Sequence, residues 1–384
     1  MNLSIGIVGL PNVGKSTLFN ALTRQSVDAA NYPFCTIDPS VGIVEVPDER
    51  LGQLSVLSNS ARTIPAAVQF VDIAGLVKGA SEGQGLGNQF LSHIREVDAI
   101  AQVVRIFEHA DIIHVAGHID PVDDIQVINL ELVLADLAVV NKRLSSVEKD
   151  VRAGLKEAVA ERDGLVKVKA ALEGEKFART VTLTEEEEKE IRKLNLLTAK
   201  KMLYVLNVQS GGKNLDELPA YAEAPAYANA SAGRSAGKKD ERWEKLIAFL
   251  NEEGATYVIV DAALESDLNA VADAERTAMR ESLAVRGGID SLIIAGYDLL
   301  DLITFFTTGE TETRAWTIQK GSTAPVAGTA IHTDFKDKFI RAEVVFWEDL
   351  IESGSYAKAR ERGLTRTEGK EYVVKDGDVI EFRI

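Results

Sequence analysis

The segment Gly9-Leu10-Pro11-Asn12-Val13-Gly14-Lys15-Ser16 constrains this chain more than any other. It is an unbroken G-x4-G-K-[ST] loop, set between the apolar run Leu3-Ser4-Ile5-Gly6-Ile7-Val8 and the helical pattern Thr17-Leu18-Phe19-Asn20-Ala21-Leu22. A strand that turns through such a loop into a helix presents backbone N–H groups at the helix N-terminus, where the dipole also favours an anion. Asn12, Val13, Gly14, Lys15, Ser16 and Thr17 are therefore candidate nucleotide-binding residues. Lys15 would reach the β- and γ-phosphates of a triphosphate, and the Ser16 hydroxyl would hold Mg²⁺, because the transferred phosphoryl group carries charge that must be neutralised in place.

Further β-branched runs occur at 41–46, 67–71, 99–104, 203–206 and 256–260, with helical patterns between most of them. Strands alternating with helices behind a phosphate loop predict an α/β fold, a doubly wound P-loop NTPase sheet with its ligand chemistry at the carboxyl ends of the strands. One connection is too long for that scheme. From Asn129 to about Lys201, apolar residues recur at three- and four-residue steps, as in Leu130, Leu134, Leu137, Leu144, Val147, Val151 and Leu155, which predicts an amphipathic helix. A second helix is announced by Thr184-Glu185-Glu186-Glu187, a capping-box pattern, and the acidic run 185–188 reads as its solvated first turn. The stretch 211–239, rich in Ala, Gly, Pro, Asn and Ser, reads as a long surface loop. From about Leu302 short strands and Gly turns indicate a small mixed module. The expected organisation is thus a first NTPase part at 1–128, an inserted helical arm at 129–201, a second NTPase part at 202–301 and the module at 302–384.

A net charge of −16 opposes a surface that binds nucleic acid everywhere, yet permits a local patch. The densest basic stretch carries Lys358, Arg360, Arg362 and Arg366 against a single acid. One cysteine, Cys35, allows neither a disulfide framework nor a Cys-based zinc site. No apolar stretch approaches spanning length, and the phosphate loop lies too near Met1 for a leader to precede it, so the expectation is a soluble cytoplasmic protein with no membrane partner.

Asp72-Ile73-Ala74-Gly75 follows the run ending at Val71, placing a D-x-x-G at a strand end. Asp72 can hold Mg²⁺ and the Gly75 amide can sense a γ-phosphate. Gly79, Gly83, Gly85 and Gly87 then suit a segment that orders with the triphosphate. Upstream, Thr36 in Asn31-Tyr32-Pro33-Phe34-Cys35-Thr36 is a further candidate Mg²⁺ ligand.

Together with Ile37-Asp38-Pro39, Leu76-Val77-Lys78-Gly79-Ala80, Ala315-Trp316-Thr317-Ile318 and Gly369-Lys370-Glu371-Tyr372-Val373-Val374-Lys375-Asp376-Gly377-Asp378, these motifs resemble the Obg-like ATPases, the YchF branch of the Obg translation-factor NTPases. The resemblance spans nearly the whole chain. It implies a coiled-coil-like arm, a C-terminal TGS β-grasp domain, ATP preference and contact with the ribosome, on its 50S subunit or the 70S particle, through rRNA. A role in regulating translation or stress response follows from it, for a protein expected to be a monomer. Many GTPases place a glutamine after D-x-x-G to orient the attacking water, whereas Leu76 stands here. The resembled family supplies a histidine instead, which places His114 of Ile112-Ile113-His114-Val115 as general base. Asn12 resembles the asparagine of K⁺-stimulated P-loop NTPases, adding K⁺ to Mg²⁺ and ATP as an expected cofactor.

GTPases read guanine with N-K-x-D, through a carboxylate that accepts from N1–H and N2–H₂. At the corresponding strand end this chain has Asn207-Val208-Gln209-Ser210, with no carboxylate and with Ser210 where the resembled family has glutamate. Asn207 is read as an adenine N6/N7 contact, with Val208, Ser210 and, in Asp261-Ala262-Ala263, Ala262 completing the base pocket. Asn141-Lys142-Arg143-Leu144, inside the arm, is a decoy. The reading is an ATPase producing ADP and phosphate; a GTPase with a degenerate base motif and a nucleotide-gated binding protein with incidental hydrolysis stand as alternatives. Because every nucleotide motif lies upstream of Asp301, removal of the C-terminal module is expected to spare hydrolysis.

Overall fold

The computed structural model describes residues 3–23, 40–73, 86–109, 118–210, 213–215, 240–269, 271, 275, 279 and 288–384. Its first sheet has six strands in the order Val41–Glu45, Ala67–Asp72, Ser4–Val8, Ala99–Arg105, Lys201–Asn207, Thr256–Val260. Neighbours run parallel except the edge pair Val41–Glu45 and Ala67–Asp72. Every residue of Ser4–Val8 and Ala99–Arg105 is buried, as central parallel strands covered on both faces demand. Registers Val8 to Gln102 and Arg105 to Asn207 bring the strand ends after Val8, Arg105 and Asn207 to one edge of the sheet, beside Asp72. The exceptional Arg105 is accommodated by a bond from Nε to Phe107 O of 3.0 Å, by the Phe107 ring at 4.6 Å and by the charge of Asp124.

The arm differs from its expectation in two respects. Its first helix is Pro121–Arg152, started upstream of Asn129 by Asp120, whose carboxylate accepts from Val122 N and Asp123 N. The apolar periodicity runs on to Leu155, but the helix does not. Gly154 takes φ 78°, Leu155 N bonds back to Asp150 O, and a separate helix Lys156–Glu173 folds back beside the first. Arg143 clamps Glu161 across the two through bonds of 2.5 and 2.7 Å. The capping box forms as read at Glu185–Arg192, where Glu187 is buried and also meets Lys167. At the arm's base, fully buried Asp136 accepts from Leu197 N, Thr198 N and Thr198 Oγ1 at 3.0, 2.7 and 2.6 Å. Burial pushes its carboxyl above the ordinary aspartate range against the pull of these bonds.

The C-terminal sheet runs Arg366–Glu368, Arg341–Phe346, Asp378–Arg383, Leu302–Thr308, Thr313–Gln319, Thr63–Ile64. Its last strand belongs to the first half of the chain. Ala61 N bonds Glu310 O and Thr313 N bonds Arg62 O, while the helix Glu49–Ser58 packs Leu51 and Leu54 into one continuous core with Phe306, Ala315, Val345 and Val379. This seam ties the module to the first half of the chain, and no local pattern in the sequence records it. The expected loop 211–239 lies outside the described residues except for 213–215, where Lys213–Asn214 pairs as a short strand with Phe107–Glu108. No helix among the described residues is long and apolar enough to cross a membrane.

Candidate functional site

The phosphate loop is shaped by close approaches that exclude side chains. A Cβ on Gly9 would stand 2.7 Å from Val103 O, and one on Gly14 would stand 2.3 Å from Asn207 Nδ2. Gly14 also takes φ 98°, open to glycine, and Asn12 takes φ 63°, which asparagine tolerates better than most residues. The bond from Leu18 N to Gly14 O then starts the helix Lys15–Thr23. Lys15, only 8% exposed, folds back so that Nζ donates to Leu10 O at 2.8 Å. Burial lowers its ammonium pKa and the nearby Asp72 charge partly restores it. Asp72 responds in the opposite sense, raised by burial and lowered by Lys15 and by a hydrogen bond from Ser16. Lys15, Ser16 and Asp72 thus converge at the sheet edge. A hydroxyl beside a carboxylate is a hard oxygen pair that suits Mg²⁺, which keeps several waters and needs few protein ligands.

The base side is bound together more tightly than its motif suggested. Asn207, 4% exposed, donates from Nδ2 to Val13 O at 2.8 Å and accepts at Oδ1 from Ala262 N at 3.1 Å. Its carboxamide therefore braces the phosphate loop against the last loop, a task the sequence reading, which gave it an adenine contact, did not include. Asp261 accepts from Leu264 N at 2.9 Å as the cap of helix Ala262–Leu268, and from Ser210 N at 2.5 Å. Val208 N bonds Val260 O, and Gln209 is held on both backbone atoms by Asn214, its N donating to Oδ1 and its O accepting from Nδ2, each at 3.0 Å. Sequence reasoning missed Asn214, which sits in a Gly- and Ala-rich stretch with no pattern of its own. It noticed Asp261 only as a motif member, although an Asp between an apolar run and a helix is a capping signal.

Thr36, Gly75 and His114 fall at 24–39, 74–85 and 110–117, outside the described residues. The structure brings together Val13, Gly14, Lys15, Ser16, Asp72, Asn207, Val208, Ser210 and Ala262. No group of three or more acidic, His or Cys side chains that could hold a metal occurs among the described residues.

Comparison with known proteins agrees with this geometry. The ribosome-binding ATPase YchF of Bacillus subtilis is 51% identical over 100% of this chain and 99% of its own length, and that of Escherichia coli O157:H7 is 46% identical over 100% and 99%. This chain belongs to the YchF family. The family model YchF-GTPase_C, described as a protein of unknown function, matches residues 302–384, and the model of the 50S ribosome-binding GTPase matches 4–142. The YchF GTPase structure from Schizosaccharomyces pombe superposes with a TM-score of 0.82 at 36% identity, over 100% of this chain and 98% of that one. The YchF likeness is thus end to end, and the inserted arm and the C-terminal sheet belong to it as much as the phosphate loop does.

Proposed function

We propose that this chain is a Mg²⁺-dependent ATPase that works on the ribosome, hydrolysing ATP to ADP and phosphate as a nucleotide-dependent regulator of translation or of a stress response. The convergence of Lys15, Ser16 and Asp72 at the carboxyl edge of the sheet carries this reading. The relatives named ribosome-binding ATPase supply its substrate and partner. Lys15 turns from Leu10 O to the phosphates and, with the phosphate-loop amides, holds the γ-phosphoryl group for in-line attack by water. Ser16, Asp72 and Thr36 would hold Mg²⁺, which neutralises phosphate charge. His114 orients the attacking water and accepts its proton, the Gly75 amide reports the γ-phosphate, and Asn12 would hold a K⁺, which supplies positive charge for the developing phosphate charge.

The protein acts as a cytoplasmic monomer whose C-terminal TGS domain or arm meets rRNA. The basic stretch is less charged in place than in sequence, since Arg360 pairs with Glu343 at 2.6 Å and Arg366 lies 3.6 Å from Asp378. Lys358 and Arg362 remain the phosphate-seeking pair of that face.

Single-turnover hydrolysis of ATP and GTP, with and without ribosomes, tests the reading. His114→Ala is expected to bind ATP as before and to lose roughly 10²–10⁴-fold in rate, as general bases do. Lys15→Ala is expected to lose binding itself. Parental hydrolysis by His114→Ala would remove the base assignment, and faster turnover of GTP than ATP would replace the ATPase with a GTPase.

A further inference from the structure

We infer that the C-terminal module positions the Mg²⁺ carboxylate Asp72 from a distance, through the hairpin 40–72, and that Ser60 and Thr313 are positioning residues in that path. The inference rests on the ATPase reading above. The strands of the hairpin, Val41–Glu45 and Ala67–Asp72, pair antiparallel along their whole length, from Val41 opposite Val71 to Glu45 opposite Ala67. Backbone bonds close it at both ends, Asp72 N to Ser40 O and Val46 N to Ala66 O, each at 2.8 Å. One end belongs to the nucleotide: Asp72 lies beside Lys15 and Ser16, and the sequence places Thr36 just ahead of the first strand and Gly75 just behind the second. The other end, Glu49–Ser58 with Thr63–Ile64, is built into the C-terminal sheet.

That tip is gripped by backbone and by side chains. Ala61 N donates to Glu310 O at 2.8 Å and Thr313 N to Arg62 O at 2.9 Å, which seats Thr63 opposite Thr313. The Ser60 hydroxyl donates to Gly309 O at 2.7 Å and meets the Thr313 hydroxyl at 2.7 Å, while Thr308 Oγ1 meets Ser58 Oγ at 2.8 Å. Thr313 is fully buried, so its contacts are shielded from water. A paired hairpin does not slip, because a slip of one residue would turn every side chain to the opposite face. A displacement of the tip therefore reaches Asp72 as a tilt, carried by a strand of 6 residues that rises about 3.3 Å at each. The partner strand bears on the phosphate-loop helix as well, since a Cβ on Gly42 would stand 2.4 Å from Thr23 Cγ2. Such a tilt moves Asp72 relative to Ser16, and Mg²⁺ tolerates little departure from octahedral geometry. Coupling in binding is reciprocal. Whatever holds the module is then felt at the metal site, and the metal–triphosphate complex is felt at the seam.

Amide hydrogen exchange on the full chain reads this path directly. Segments 58–64 and 309–315 are expected to exchange about fivefold or more differently with Mg²⁺·ADP than with Mg²⁺ and a non-hydrolysable ATP analogue, the low end of ordinary coupling, while Arg341–Phe346 in the same sheet stays unchanged. Binding supplies a second reading. Ser60→Ala removes the hydroxyl contacts from the hairpin side, and Thr313→Val removes the hydroxyl from the module side while keeping the backbone bond to Arg62 O. In each variant the gain in ATP affinity that Mg²⁺ brings over EDTA is expected to shrink about fivefold, with affinity in EDTA parental because the phosphate loop is untouched. A seam that only covers apolar surface would lower the melting temperature and leave that gain as it was. Equal exchange in the two nucleotide states, or a parental Mg²⁺ gain in both variants, would overturn the inference and leave the ATPase reading intact. Failure of any triphosphate to protect the phosphate-loop segment 9–18 would overturn both.

Discussion

The two sheets of this molecule bury similar numbers of strands by different means. The first closes on itself: each of its central strands is buried along its whole length, and its helices return to it within the same stretch of chain. The second is completed from outside, taking Thr63–Ile64 as its edge strand and Leu51 and Leu54 into a shared core. A region that looks like a domain in sequence need not be one in its packing. The segment 49–64 belongs to the first sheet by connectivity and to the second by contact.

Deleting residues 302–384 presses hardest on that difference. It uncovers Leu51, Leu54 and the unpaired edge at Thr63–Ile64, so the expected outcome is loss of cooperative melting and of soluble yield, with ATP hydrolysis falling alongside. A truncated chain that melts cooperatively near the parental temperature and hydrolyses ATP would show that the seam is dispensable.

A smaller effect is expected within the first sheet's own insertion. Asp136→Ala leaves two buried N–H groups and a hydroxyl without their acceptor, a cost of about 2–4 kcal/mol by denaturant unfolding. The pH dependence has a definite sign. Because burial raises the folded-state pKa of Asp136, its contribution is fullest below the ordinary aspartate value and is lost as pH rises through the folded value. The melting temperature of the wild type relative to Asp136→Asn should therefore decline from acid towards neutral pH. An advantage that instead grows with pH would reverse the assignment.

The smallest effect belongs to the rim of the seam. Arg50 reaches Asp376 at 2.5 Å and lies 5.1 Å from the centre of the Phe306 ring, but Asp376 is about half exposed and water screens the pair. Asp376→Asn, which can still accept from Thr304 N, should cost about 1 kcal/mol or less. A loss of several kcal/mol would make the seam electrostatic rather than apolar.

Much of the first sheet was legible because buried parallel strands must be apolar and β-branched along their length, and the strands near 41, 67, 99, 203 and 256 form there. The arm was legible as helix, and its Thr184 cap formed, but the break at Gly154 was hidden by a periodicity that continues to Leu155. Leu155 shows the limit of pattern reading, since it keeps the spacing of a core residue and ends up 54% exposed at the turn. At the site, a motif located Lys15 and Ser16 because phosphate binding needs contiguous residues. Asn207 was located by its motif, but its bracing bonds were not legible, because they depend on Val13 and Ala262 lying far away in sequence. The seam left no trace because hydrogen bonds such as Ser60 to Thr313 join ordinary polar residues 253 positions apart.

That separation sets a clock during synthesis. The segment carrying Glu49–Ser58 and Thr63–Ile64 leaves the ribosome long before Thr313–Gln319 is made. At translation rates of about 5–20 residues per second, an interval of some 250 residues lasts on the order of 10–50 s. For that time an apolar helix face and an open strand edge have no partner within their own chain. The nascent protein passes through a state in which its first sheet can already form while its flank is bare, and residues 302–384, made later, are the ones that cover it.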